Sequence, residues 1–531
     1  MRIRLNLPLI VVSVIVLLFA AAYLQWALLG LPALPPSPPL STAAPRGFPA
    51  WLRITHYINL FFIILLIRSG LQVLADHPRL YWNVHCTPGT EWLRFTSVEV
   101  PTDRVWTAKD DSRFLSPWIG LPGYRHSIGM ARHWHFLSVG FWVANGLIYV
   151  ILLFGTGQWR RLVPVTWRVV PDAWAIFAHY ATFHLPPELG FYRYNALQQL
   201  TYFVVVFVLA PMAILTGPSM SPALTNRFRW YPRLPGNRQI GRSLHFFVMC
   251  AFIVFIIGHV AMVATTGLVR NMNHIVLGTN DSREVGLFLG LLGIGVIIVM
   301  NVLANWLAWR RPRVVQHLAK RIVTPAMSLL LDRAAPRAEF TSQDISPFLW
   351  PNGKVPTSDE WKKLAAANFK DYRLKIKGLV ENPVELSLND LEKMSVKRQT
   401  TLHHCIQGWS GIAEWGGLPT ADLIRLVRPK ANAHIAVFYS FGEGLEGGQY
   451  YDSHSIVNLL HPQSLLAYEM NFKPLGELHG APLRLRVENQ LGFKMVKWIQ
   501  SIEFVENMES IGHGEGGYNE DEEYFGELAN I

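Results

Sequence analysis

Arg242-SLHFFVMCAFIVFIIGHVAMVATTG-Leu268 carries two histidines, His245 and His259, on one uninterrupted apolar stretch. Histidine is costly inside a bilayer, so an intramembrane pair marks a functional site. The fourteen-residue spacing is about four helical turns, which points both rings the same way and separates them by about 21 Å along the axis. A hydrocarbon core is about 30 Å thick. One helix therefore presents a nitrogen ligand near each face of a membrane, an arrangement that suits two stacked haems.

Working outward, long apolar runs fill the first 310 or so residues of the 531 and then stop. Half of the chain is hydrophobic and 16% is charged, below the usual quarter for soluble domains. Six segments reach the length needed to span, at about 8–30, 54–75, 134–155, 199–217, 243–266 and 286–308. The expected fold is thus an all-α transmembrane bundle of six helices followed by a soluble domain. The first segment, behind Met1-Arg2-Ile3-Arg4, exceeds a usual signal-peptide core and lacks a good cleavage site, so it is expected to stay as a helix. The net charge of +11 lies mostly in loops between apolar segments. Topology accounts for it, and without a basic helix or aromatic-basic motif nucleic-acid binding is excluded. Cys86, Cys250 and Cys405 have no motif spacing and form no disulfide framework.

Lys and Arg near the segment ends number 19 on the side of the N-terminus and 8 on the other. Both termini, with the long loop 76–132, are expected in the cytoplasm. With that orientation His245 lies near the inner face and His259 near the outer one. His56 starts the second segment at the outer face, and His135 starts the third at the inner face. Depth pairs His56 with His259 and His135 with His245, each pair offering two axial nitrogens to a b-type haem. His133 is an alternative to His135. Arg68 either snorkels or faces a haem propionate.

The region 50–310 resembles the di-haem b-type cytochromes that serve bacterial hydrogenases and formate dehydrogenases as membrane subunits. The resemblance rests on Arg53-x-x-His56, Arg132-x-x-His135-Phe, Tyr194-Asn-Ala-Leu-Gln-Gln-Leu-Thr-Tyr202, Ala210-Pro-Met-Ala-Ile-Leu-Thr-Gly217 and the His245/His259 helix. It implies two haem b groups and exchange of electrons with membrane quinone.

Beyond a basic, proline-containing linker at 309–345, residues 346–531 mix strand-like runs (372–381, 434–441, 482–488) with helical patterns such as Thr420-ADLIRLVR. Gly, Pro and Asn punctuate them, as in a mixed α/β domain. The acidic, Gly-rich stretch from Glu506 is expected on the surface. Cys405 stands in Thr401-Leu-His-His-Cys405-Ile-Gln-Gly-Trp409. A lone Cys is more often a small buried apolar residue, and three adjacent residues lack zinc-ligand spacing.

Downstream come Leu465-Leu-Ala-Tyr-Glu-Met-Asn471, His479-Gly-Ala-Pro-Leu-Arg484 and Gly492-Phe-Lys494-Met-Val-Lys497-Trp-Ile. With Cys405 they closely resemble the molybdopterin domain of the sulfite oxidase family. The resemblance implies Cys405 as the catalytic molybdenum ligand and His479, Arg484, Lys494 and Lys497 as cofactor contacts. A soft thiolate suits a transition metal, and Arg with Lys suits a buried phosphate. Asn352, Ser440, Tyr450, Tyr451 and Asp452 are weaker pocket candidates. Where sulfite oxidases continue with two arginines, this chain has Ile406-Gln407-Gly408-Trp409, which argues against sulfite. Trp409 is similar to a residue of the bacterial methionine-sulfoxide reductase branch.

The domain boundaries expected are 1–50 (extra helix and outer loop), 51–308 (di-haem membrane domain), 309–345 (linker) and 346–531 (molybdopterin domain). The expected function is a molybdopterin-dependent oxidoreductase in the bacterial inner membrane. It passes electrons between molybdenum and quinone through two haems, with a small or sulfoxide-type substrate and a cytoplasmic catalytic domain. The alternative is an electron-transfer subunit whose soluble domain only docks a partner.

Overall fold

A computed structural model describes residues 7–35, 47–124, 128–187, 190–228, 230–231, 234–331, 340–526 and 531. The Met1–Arg4 start lies outside them. Six helices among the described residues are long and apolar enough to cross a membrane. They are α1 (Leu7–Leu29), α2 (Ala50–Asp76), α3 (Ile128–Gly155), α4 (Ala196–Ser219), α5 (Arg238–Thr265) and α6 (Glu284–Arg310). In hydrocarbon every backbone N–H and C=O must be satisfied within the segment, which is why such runs become helices. Leu17, Leu28, Ile151, Ile257 and Val299 stay exposed on them, as side chains facing lipid would.

Contacts divide the chain into two units. The first comprises Met1–Ile67, Ser138–Gly217 and Arg242–Ala304. Its core gathers Ile63, Trp142, Val248 and Phe252. The few polar groups there are answered locally. Trp142 Nε1 donates to Asn59 Oδ1 (2.8 Å), and Asn145 Nδ2 donates to the Thr55 carbonyl (3.0 Å). Asn195 caps α4 in a reciprocal box with Gln198. A π-helical turn at Val205–Leu209 then shifts the register of α4, a distortion that favours functional positions.

The second unit comprises Arg68–Leu137, Pro218–Gly241 and Asn305–Ile531. It holds two five-stranded sheets. One is built from β3 (Lys397–His404), β4 (Ser410–Pro419), β7 (Ser464–Met470) and β8 (Lys473–Pro474), with β9 (Arg484–Val487) also pairing β7. The other runs β2 (Val384–Leu386), β1 (Leu374–Gly378), β10 (Ile499–Val505), β5 (Ile435–Glu443), β6 (Gln449–Ser455), with β10 and β1 parallel. Leu374, Phe438, Ile502, Leu466 and Leu485 bury into one shared core. This is the mixed α/β domain, with strands at the three places where the alternating runs fell.

Three features depart from the linear reading. The stretches Arg68–Leu137 and Pro218–Gly241, which include helix ends and the segments between them, group with the α/β unit by contact. Arg79 fixes the first of them, donating to Asp111 (2.9 Å) and Glu91 (3.0 Å) in the interior. The linker carries α7 (Pro312–Leu331), whose Val315 and Ala319 are buried and whose Gln316 donates to the Glu520 and Phe525 carbonyls (2.9 and 2.7 Å). The acidic tail is a surface stretch only in its first part: Glu506, Glu509 and Gly512 are exposed, whereas Tyr518, Asn519, Glu520 and Asp521 of α8 (Tyr518–Glu522) are buried.

Candidate active site

Strand β3 ends at His404, and the chain turns through Cys405–Trp409 before β4. The Cys405 N–H donates to the Trp409 carbonyl (3.1 Å), and Gly408 takes φ +107°, a conformation that favours glycine. Gln407 Oε1 accepts from Trp409 Nε1 at 3.1 Å and lies 3.6 Å from the Cys405 sulfur. Asn352 Nδ2 reaches the same sulfur at 3.8 Å. Burial pushes the Cys405 thiol up to about 12, while Lys109 and Arg238 pull it down. A metal bound there would deprotonate it outright.

Cys405 opens into a cavity. Asn352, His479, Arg484 and Lys497 line it too, so these sequence-derived candidates converge with Cys405. Tyr450 also lines it; Ser440, Tyr451 and Asp452 do not. Lys494 is placed differently. It is absent from the lining, and its ammonium is ion-paired to Asp452 and to Glu520 (2.9 Å), which hold its pKa above the ordinary value despite burial.

Arg486 was not among the candidates. Alternate residues of a strand share a face, and Arg484 and Arg486 on β9 both stand over the Trp415 ring, at 4.6 and 4.3 Å. That period of two was the available signal. Arg486 donates to Glu488 (2.8 Å) and to His403 Nδ1 (3.0 Å). His404 Nδ1 accepts from Arg238 (3.3 Å). Both histidines beside Cys405 are thus engaged by arginines.

Positive charge is undercompensated in this cavity. Burial and then the neighbouring Arg486 push Arg484 well below its ordinary pKa; burial and Arg484 do the same to Lys497. His479 falls to about 3 through burial, Lys497 and Arg484. Arg484 Nε is buried with no hydrogen-bond partner. Buried cations are costly without a counter-charge, so the donor set fits an anionic group such as a pterin phosphate. Arg484 and Lys497 would hold that group, and Cys405 would hold the metal.

In the first unit the rings of His56 and His259 stand 6.3 Å apart. A metal–imidazole bond is about 2 Å, so two rings at this separation leave room for one ion bound by both. Tyr202 Oη meets His259 Nδ1 at 3.4 Å, and Phe255 stacks on the ring at 5.5 Å. His245 Nδ1 lies 2.9 Å from Thr216 Oγ1, whose own hydrogen goes to the Met212 carbonyl (2.7 Å). With its hydrogen so engaged, the hydroxyl oxygen is free to accept from Nδ1–H, the tautomer that offers Nε2 as a ligand. In the second unit, Ser69 Oγ lies 3.0 Å from His135 Nδ1. His133 differs, its Nε2 meeting the Tyr524 carbonyl at 2.9 Å.

Comparison with known families bears on both halves. Residues 47–278 match the family model described as prokaryotic cytochrome b561, and residues 361–511 match the oxidoreductase molybdopterin binding domain. The chain joins a cytochrome b561 domain to a molybdopterin oxidoreductase domain. With six apolar helices it is an integral membrane protein. It is 34% identical over 166 residues to YedZ1 of Azospira oryzae, named as a protein-methionine-sulfoxide reductase subunit, covering 31% of this chain and 58% of that one. It is 30% identical over 202 residues to the protein-methionine-sulfoxide reductase catalytic subunit MsrP of Xanthomonas campestris, covering 36% and 62%. Against sulfite oxidase of Arabidopsis thaliana the identity is 29% over 205 residues, covering 32% and 50%. The chain thus spans about three-fifths of the length of the first relatives it matches.

Proposed function

We propose that this protein is a membrane-bound, molybdopterin-dependent oxidoreductase that reduces a sulfoxide-type substrate with electrons drawn from the quinone pool through two b-type haems. One observation carries the reading: Cys405, with Asn352 on its sulfur, opens into the same cavity as the crowded cations Arg484, Arg486 and Lys497. A soft ligand for the metal and a buried anion site for the pterin tail are thereby built together. When bound, the cofactor supplies two-electron oxygen-atom chemistry. The balance is simple. A quinol gives two electrons and two protons, the sulfur–oxygen bond of the substrate breaks, and the oxygen leaves as water with a thioether remaining.

The chain's own residues orient and shield. Trp409, Phe493 and Phe525 line the cavity with apolar surface. His56, His259, His135 and His245 are proposed as the haem ligands, with Tyr202, Ser69 and Thr216 setting ring orientation. The excess of Lys and Arg on the side of the N-terminus supports a catalytic domain in the cytoplasm.

The test uses the full chain in detergent with its haems reduced by a quinol. Methionine sulfoxide is expected to reoxidise the haems in wild type, whereas Cys405→Ser keeps the haem spectrum and loses reoxidation. Reoxidation at the wild-type rate in Cys405→Ser would refute the site.

A further inference from the structure

The run after Cys405 lacks the paired arginines of sulfite oxidases, yet the cavity is not without a cation on that side. Lys109, from the segment between α2 and α3, lines it. Its turn is fastened at both ends. The Ala108 N–H donates to the Pro351 carbonyl (2.8 Å), next to Asn352. Gln407 Nε2, two residues from Cys405, approaches the Ala108 and Asp76 carbonyls at 3.5 and 3.4 Å. The Thr107 N–H donates to Asp110 Oδ2 at 2.6 Å and closes the turn. The ammonium is therefore delivered beside the thiol from a braced support.

Its partner comes from the opposite end of the chain. Lys109 Nζ lies 3.8 Å from Glu523 Oε2, and the Glu523 side chain is only 6% exposed and lines the same cavity. Asp76, Glu523 and Cys405 hold the lysine charged against its burial. A cation with its own carboxylate attracts an oxyanion far less than two arginines would, because the two potentials nearly cancel beyond a few ångström. Its N–H bonds still serve a single dipolar oxygen.

Resting on the function proposed above, we propose that Lys109 and Glu523 form the specificity pair of the cavity. Lys109 donates to the oxygen of a neutral sulfoxide-type substrate, and Glu523 turns away oxyanions such as sulfite and sulfate.

The holoprotein in detergent, with molybdenum content checked, is titrated with inorganic sulfate while the Mo(V) resonance is followed. Wild type is expected to respond only at high sulfate. Glu523→Gln, nearly isosteric, responds at about tenfold lower sulfate or less, since an unscreened cation faces the site. The double variant Lys109→Met/Glu523→Gln loses that gain. With methionine sulfoxide as substrate, Lys109→Met raises KM about tenfold with a smaller change in kcat, as expected for one lost charge-assisted hydrogen bond, and Lys109→Arg restores most of it. A wild-type sulfate response in Glu523→Gln, or an unchanged KM in Lys109→Met, overturns the pair. If molybdenum is present and wild type ignores sulfoxides, the proposed function fails while the sulfate titration still decides the pair. If no molybdenum binds, both fall together.

Discussion

The two units treat buried nitrogen in opposite ways. In the first, two of the imidazoles meet uncharged groups. His245 is steered by a threonine hydroxyl, and His259 by a tyrosine hydroxyl and a stacked phenylalanine. In the second, cations are buried side by side, and burial first and then a neighbouring arginine lower the pKa of Arg484 and of Lys497. The first arrangement suits neutral ligands to a metal. The second stores unbalanced positive charge that an anion relieves. The contrast teaches that one half is built around nitrogen lone pairs and the other around a missing negative charge.

Substitutions can break this contrast. The largest effect is expected from Cys405→Ser, which should abolish molybdenum-dependent turnover with both haem signals intact, read by metal analysis and optical spectra. His56→Ala or His259→Ala should remove one haem per chain, read by the pyridine haemochrome, and leave molybdenum in place. Arg79→Met should destabilise the second unit by about 3–5 kcal/mol in a denaturant titration, since it strands Asp111 and Glu91 in the interior.

Finer changes sharpen the contrast. Arg484→Met should speed cofactor loss by about ten- to hundredfold, the range of a charge-assisted hydrogen bond. In the cofactor-free protein the sign reverses, and its Tm should rise because a poorly compensated cation is gone. The smallest effect concerns His479. Its pKa falls from an ordinary 6.5 to about 3 on folding. The unfolded chain then binds the extra proton first, so cofactor-free stability is lost as pH falls from about 6.5 towards about 3. His479→Gln should flatten that slope in urea titrations at several pH values.

Much of this was legible in the sequence. Apolar runs set the six helices, and Cys405, His479, Arg484 and Lys497 meet in one cavity as their motifs implied. What escaped is tertiary. Lys109 sits in a segment between two apolar helices, far in sequence from the strands it joins, and nothing in its local pattern marks it. The linker was read by its basic charge, although Val315 and Ala319 lie four apart on a buried helical face. The tail was read as surface because acidic residues are usually solvated. Glu520 is buried instead because Lys494 pairs with it.

The most direct measurement is the molybdenum and haem content of the detergent-purified chain. The account predicts one molybdenum and two haems per chain, with the molybdenum lost in Cys405→Ser. Haem without molybdenum in wild type would contradict it and leave a membrane cytochrome whose soluble domain only docks a partner.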